Sequence, residues 1–175
     1  MSVLLAVLLM TAGLNPPRRR AELAARPTVV AAGAVLTVAV LIALGLAGES
    51  MLNALDISAP TFRVGVGLVL AIRGAIDLAM RPPAPPAAAD GMGAAAVPVF
   101  FPVLFRPEAA LVAVSVASDG GMGSMLLGAG VALALVVGLA AAELHEMMLR
   151  AAGMLVSTLA VVVAIDLIVD GVFAL

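Results

Sequence analysis

Long apolar runs separated by short polar or proline-containing breaks organise this chain. Six such runs are recognisable, over residues 2–17, 28–48, 61–80, 94–117, 123–142 and 151–173. An apolar helix needs about 20 residues to cross a bilayer. The second, third, fifth and sixth runs meet that length. The first does not: Met1 to Leu14 rises only ~21 Å as a helix, against a hydrocarbon core of ~30 Å. The fourth is long enough but carries Pro98, Pro102 and Pro107. Each proline removes a backbone donor and crowds the preceding turn. The expected fold class is all-α, a polytopic membrane protein with six transmembrane helices.

The two halves of the chain echo each other. Gly45-Leu46-Ala47 is answered by Gly138-Leu139-Ala140, and Ile76-Asp77-Leu78 by Ile165-Asp166-Leu167. Asn15-Pro16 is answered by Arg106-Pro107, and all three pairs are offset by roughly 90 residues. A repeat with an odd number of crossings must insert upside down relative to its twin. The pattern therefore predicts two inverted three-helix repeats, residues 1–80 and 94–175, forming one membrane domain. The Pro-rich linker 81–93 reads as a semi-rigid, helix-free connector. The abnormal runs are the first of each half. Short or interrupted segments in matching positions are the sequence pointer to a transporter's binding site.

Composition supports the membrane reading. The hydrophobic share is 64%, the charged share 11% and the mean hydropathy +1.24. A soluble domain is closer to half apolar, with about a quarter of its residues charged. Cysteine is absent, which removes disulfides and thiolate metal sites. Trp, Tyr and Lys are also absent, so no aromatic belt forms and helix ends are left to Arg and loop chemistry. A net charge of −2 gives no reason to expect nucleic acid. Arg18, Arg19 and Arg20 follow the first apolar run rather than precede it, so the N-terminus does not read as a cleavable signal. With Arg26, Arg81 and Arg150 they bias one side of the bilayer. The positive-inside rule then places both termini outside. Arg18–Arg20 and Arg26 are expected to set topology and touch anionic head groups.

The candidate chemistry is sparse. In the third run Gly67, Ala71, Ala75 and Ala79 form a row suited to close helix packing. Arg73, Asp77 and Arg81 form a second row on the opposite side. Asp77 and Asp166 are candidates for titratable gates, one per membrane face, because an intramembrane carboxylate requires a partner or a wet cavity. Arg73 and Arg81 are the expected partners of Asp77. Asp166 has only the repulsive Asp170 nearby. Asn15-Pro16-Pro17 and Arg106-Pro107-Glu108 read as helix starts, with Asn15 as N-cap and proline in the first turn. Such starts inside a membrane aim a positive dipole end at the cavity. Glu108 fills that role in the second half, and Arg106 is its expected counter-charge. The candidate solute and ion path is thus Asn15, Arg73, Asp77, Arg106, Glu108 and Asp166. Glu143-Leu144-His145-Glu146 holds the only histidine, and a zinc site needs three or four ligands. No metal and no cofactor is expected.

Residues Leu55–Leu68 resemble the third-segment signature of the MarC family of integral membrane proteins. Ile57, Ser58, Pro60, Arg63 and Gly67 match in place. Val97, Pro98 and Pro102 are similar to the family's fourth-segment prolines, and Ala152 to Gly171 looks like its last crossing. The family's Gly-Pro-Gly is matched here only at Pro107. The resemblance covers residues 45–175. It implies a six-helix protein of a prokaryotic cytoplasmic membrane, distantly similar to LysE-type exporters.

Taken together these features predict a secondary transporter or exporter of a small solute, with protons as a candidate coupling ion. The alternative is a membrane scaffold or accessory subunit without transport, favoured by the truncated first run and the many small residues. An enzyme acting on lipid or isoprenoid phosphates would gather several polar groups at one face, and no such motif is present; the chain is not expected to be an enzyme. The lipid bilayer and an unidentified small solute are the expected partners. Oligomeric state is left open, a homo-oligomer included.

Overall fold

The computed structural model describes residues 1–23, 26–80, 93–142 and 145–175. The described chain is helical, with no strand among the described residues. In order it forms α1 (Val3–Leu14), α2 (Pro16–Ala21), α3 (Pro27–Ala54), α4 (Ala59–Ala79), a wide helical segment Ala95–Leu104, α5 (Pro107–Ala141) and α6 (Glu146–Phe173). Arg81, Glu143 and all but the last residue of the linker 81–93 lie outside the described residues.

The helix starts follow from local chemistry. Ser2 caps α1 by accepting from the Leu5 amide, and Ser58 caps α4 by accepting from the Thr61 amide. Prolines occupy the first turns of α2, α3, α4 and α5, where a missing N–H costs nothing. His145 caps α6 through Nδ1, which accepts from Met147. Glu146 then pairs with Arg150 one turn on. Both residues are thereby engaged at the start of α6.

The prolines disrupt the segment before α5. Val97 and Phe101, the residues preceding Pro98 and Pro102, are extended rather than helical. Proline's Cδ disfavours the helical region for its predecessor. Both X-Pro bonds are cis.

α5 is not a straight rod. Gly121 has φ 76° and ψ 163°, a conformation essentially reserved for glycine. Arg19 contacts Glu108 at one end of α5, while its neighbour Arg20 donates to the Leu139 carbonyl near the other. In a straight helix those two sites would be roughly 46 Å apart. The chain therefore doubles back at Gly121 into a first arm (107–120) and a second arm (122–141). The reversal falls between two apolar runs: the fourth ends and the fifth begins at the hinge.

α4 and α6 run antiparallel in close contact. A Cβ on Gly67 would sit 2.8 Å from the Ala164 carbonyl, and one on Gly171 would sit 2.9 Å from that of Pro60. Glycine at both positions lets the backbones touch. The expected packing row is only partly right. Gly67 and Gly74 face α6, whereas Ala75 and Ala79 are exposed. The contact repeats every seven residues rather than every four, so its seam drifts away from an i+4 row.

Among the described residues three helices are long and apolar enough to cross a membrane: Pro27–Ala54, Pro107–Ala141 (taken as one element) and Glu146–Phe173. α4 has spanning length, ~31 Å, but carries Arg63, Arg73 and Asp77. Large apolar side chains such as Leu46, Val35, Leu127, Leu155 and Val162 point outward. Apolar surface on helices that are also apolar inside is the mark of a membrane protein.

Candidate functional site: a buried arginine–carboxylate network

The short helix α2 positions the site. α1 ends at Asn15, whose φ of 44° and ψ of 66° place it in the left-handed region that asparagine tolerates. Pro16 then starts α2. Asn15 was expected to cap that helix with its side chain. It makes no such bond. Its amide instead crosses to α6, donating to Ser157 Oγ at 2.9 Å and to the Gly153 carbonyl at 3.4 Å.

Three consecutive arginines on α2 then reach three different helix ends. Arg18 Nη1 donates to the Asp77 and Met80 carbonyls at the end of α4. Arg19 Nε donates to the Leu14 carbonyl at the end of α1. Arg20 Nε donates to the Leu139 carbonyl near the end of α5. Successive side chains on a helix diverge by about 100°, so one turn addresses three directions. Helix C-termini leave carbonyls unpaired and carry partial negative charge, which cations satisfy. The expectation that Arg18 and Arg19 touch lipid head groups is therefore corrected: both are buried, Arg19 almost completely at 1% exposure.

Carboxylates close the network. Glu22 accepts from Arg19 at 2.9 Å and from Arg106 at 2.6 Å. Asp77 Oδ1 lies 3.2 Å from Arg18 Nε and 2.9 Å from Arg73 Nη2. Glu108 Oε1 lies 3.5 Å from Arg19 Nη2 and 3.4 Å from Arg73 Nε. Arg73 is thus the partner expected for Asp77. Arg106, however, pairs with Glu22 rather than with Glu108. As the N-cap residue of α5, its extended backbone directs it away from the first turn that holds Glu108. Breaking one partner out of such a buried set typically costs about 3–5 kcal/mol, because a charge is left uncompensated.

Of the candidate path residues, Arg73, Asp77, Arg106 and Glu108 join this one network, and Asn15 sits at its edge. Asp166 does not. It is exposed on α6, between the outward-facing Val162, Ile165 and Val169, and pairs with no cation among the described residues. Glu22 and the arginine triplet were missed by sequence reasoning. The available signal was a Glu four residues after Arg18 inside a proline-started turn, a spacing that pairs charges on a helix.

At the opposite end of the bundle lies a cavity of about 510 Å³, lined by the end of α3 (Glu49, Asn53), the start of α4 (Ser58) and the α5 hinge region (Ser118, Met122). Beside it Arg63 grips Asp119 with two hydrogen bonds of 2.5 and 2.6 Å. The buried residues Val112 to Val116 of the first arm separate cavity from network. No metal-binding group of carboxylates and histidine occurs among the described residues. Compared with family models, curated proteins and solved structures, the chain matches none.

Proposed function

We propose that the chain is a membrane transporter of a small solute, MarC-like in plan, working by alternate exposure of a site between two inverted halves. One observation carries this reading: the two chain breaks, at Asn15 and at Phe105–Arg106, converge on the same buried network, and each is followed by a proline-started helix. Discontinuous helices meeting at a polar site are the construction used by secondary transporters. Paired contacts support the inverted halves. Ala6 and Met10 of α1 lie against Gly128, as Ala95 and Val99 lie against Gly33. α4 and α6, the last helices of the halves, run antiparallel. The Ile57-Ser58-Ala59-Pro60 stretch that resembles the MarC signature builds the N-cap and first turn of α4 beside the cavity. On this reading the helices make six crossings, α4 among them, and the network is the closed gate on one side.

A non-transporting scaffold draws on a different observation, the solid packing of Val112 to Val116 between cavity and network. The two readings separate in reconstituted vesicles. Single cysteines introduced at Ser157 and Ser118 provide unique labels, because the chain has none of its own. A transporter makes each position reactive from its own side at a rate that changes when a transported solute is added. A scaffold leaves Ser157→Cys inert from both sides and shows no solute flux above protein-free vesicles.

A further inference from the structure

At about 510 Å³, the cavity at the α3–α4 end is within the size range of small-molecule sites, roughly 300–1,000 Å³. Its walls divide by chemistry. Leu52 and Met122 are apolar, whereas Glu49, Asn53, Ser58 and Ser118 are polar and exposed. Glu49 and Asn53 are four residues apart on α3, so they share one face. The polar groups offer acceptors more than donors. A carboxylate such as Glu49 only accepts. The Ser118 hydroxyl already donates to the Ser115 carbonyl at 2.9 Å, which leaves its lone pairs as its free capacity.

The cavity is also negative. Glu49 pairs with no cation among the described residues. Arg63, beside the cavity, is spent on Asp119 through two hydrogen bonds. A helix C-terminus is ordinarily matched by a cation in its last turn. α3 has no basic residue there, and carries Glu49 just over one turn from its end. The start of α4 returns an opposite partial charge, which Ser58 Oγ meets by accepting from the Thr61 amide. Those two helix ends roughly cancel, so the charge of Glu49 stands uncompensated. Asp56, in the α3–α4 turn, adds to the field at this end, as does Asp170, whose neighbour Gly171 packs against Pro60. A cleft with low-dielectric walls focuses such a field on whatever enters it.

We propose that this cavity binds a small primary ammonium, with Glu49 as its counter-charge. An ammonium brings three donors and no acceptor, and Glu49, Asn53 Oδ1 and Ser118 Oγ are the acceptors the walls provide. One unpaired carboxylate suits one positive charge. A divalent ion needs six or more oxygen ligands, and no group of three metal-binding side chains occurs among the described residues. A short alkyl body leaves water against Leu52 and Met122. The same ammonium chemistry is carried by a soluble amine and by the ethanolamine head group of a phospholipid. On the transport reading, on which this proposal rests, the amine is the solute met on the side opposite the closed gate.

The test is equilibrium dialysis of the full chain, in an uncharged maltoside detergent at neutral pH, against radiolabelled n-butylammonium. Protein-free micelles are the blank and far-UV circular dichroism is the folding check. Wild type binds the amine saturably, near one per chain. Glu49→Gln weakens binding about tenfold or more, the loss expected for a charge-assisted hydrogen bond. Asp56→Asn, at the same end but outside the cavity wall, changes it by less than about twofold, because an exposed charge at a distance is screened. Two competitors are read on wild type and need no variant. n-Butanol does not compete, and n-butyltrimethylammonium, which has no N–H, competes about tenfold more weakly than the primary amine. Phosphatidylethanolamine and phosphatidylcholine then assign the source. Amine binding that survives both lipids identifies a soluble amine, and displacement by phosphatidylethanolamine alone identifies the head group. Displacement by both lipids alike gives the cavity to acyl chains and overturns the proposal. So does a folded wild type with no saturable binding, binding retained by a folded Glu49→Gln, or a quaternary amine that competes as well as the primary one. Bound amine without flux removes only the transport reading. Flux of another solute without amine binding removes only this one.

Discussion

Asn15 and Ser157 stand 142 positions apart in sequence and share a buried hydrogen bond of 2.9 Å. That bond ties the break between α1 and α2 to the middle of α6. Ser157 Oγ in turn donates to the Gly153 carbonyl within α6, so the side chain is held from both directions. Asn15→Ala should destabilise the protein by about 1–3 kcal/mol, the cost of leaving buried polar partners unmade. Ser157→Ala should cost less, and the double variant should lose less than the sum, because both act through one bond. Thermal melts followed by far-UV circular dichroism read this out, since the chain has no Trp or Tyr to report by fluorescence. Additive losses would place the stability of the break elsewhere.

The hinge at Gly121 offers a cleaner backbone test. Gly121→Ala should cost about 1–3 kcal/mol, because φ 76° with ψ 163° is strained for any side chain. Nothing lies within 4 Å of a Cβ built there, so sterics from neighbours play no part. Gly123→Ala is the control. It also meets nothing, lies in helical backbone, and should be neutral or stabilising by up to about 1 kcal/mol. Equal melting temperatures for the two variants would contradict a reversal at Gly121.

The α4–α6 seam predicts a packing defect. Gly67→Ala puts a methyl group 2.8 Å from the Ala164 carbonyl, and backbone cannot swing aside as a side chain does. A loss of about 1–3 kcal/mol is expected. Gly65→Ala, one residue pair away and facing open space, should leave the melt unchanged.

Asp77 and Asp166 should separate in function. Under the transport reading Asp77→Asn disturbs Arg18 and Arg73 and lowers solute flux in reconstituted vesicles several-fold or more. Asp166→Asn leaves flux near wild type, because that residue is outside the network. Equal loss in the two variants would restore the mirrored pair of gates read from the repeat.

The six crossings proposed above make their own prediction. Asp56, in the α3–α4 turn, and His145, before α6, are both exposed and lie at opposite ends of the bundle. Single cysteines there should react with an impermeant maleimide from opposite sides of sealed vesicles. Labelling of both from one side would remove the proposed crossing pattern.

Much of the framework was legible in the chain itself. Runs of some twenty apolar residues have no stable soluble solution, so the helices and their approximate ends follow from composition and from proline and serine at the starts. Asp77 with Arg73 was also readable, because one turn of helix brings i and i+4 together. What the linear pattern did not reveal was every relation set by distant partners. The triplet Arg18–Arg20 looked like an interfacial charge block, since its carbonyl acceptors belong to helices that end 5, 59 and 119 positions away. Arg106 went to Glu22 instead of its neighbour Glu108 because the backbone direction at the α5 start, not sequence proximity, aims the guanidinium. Asp77 and Asp166 sit in the same Ile-Asp-Leu phrase, yet one faces inward and the other outward. Local chemistry decided that helices form and where they begin. Only the packed bundle decided which charges share a dry interior, because burial and pairing depend on the neighbours that folding brings into reach.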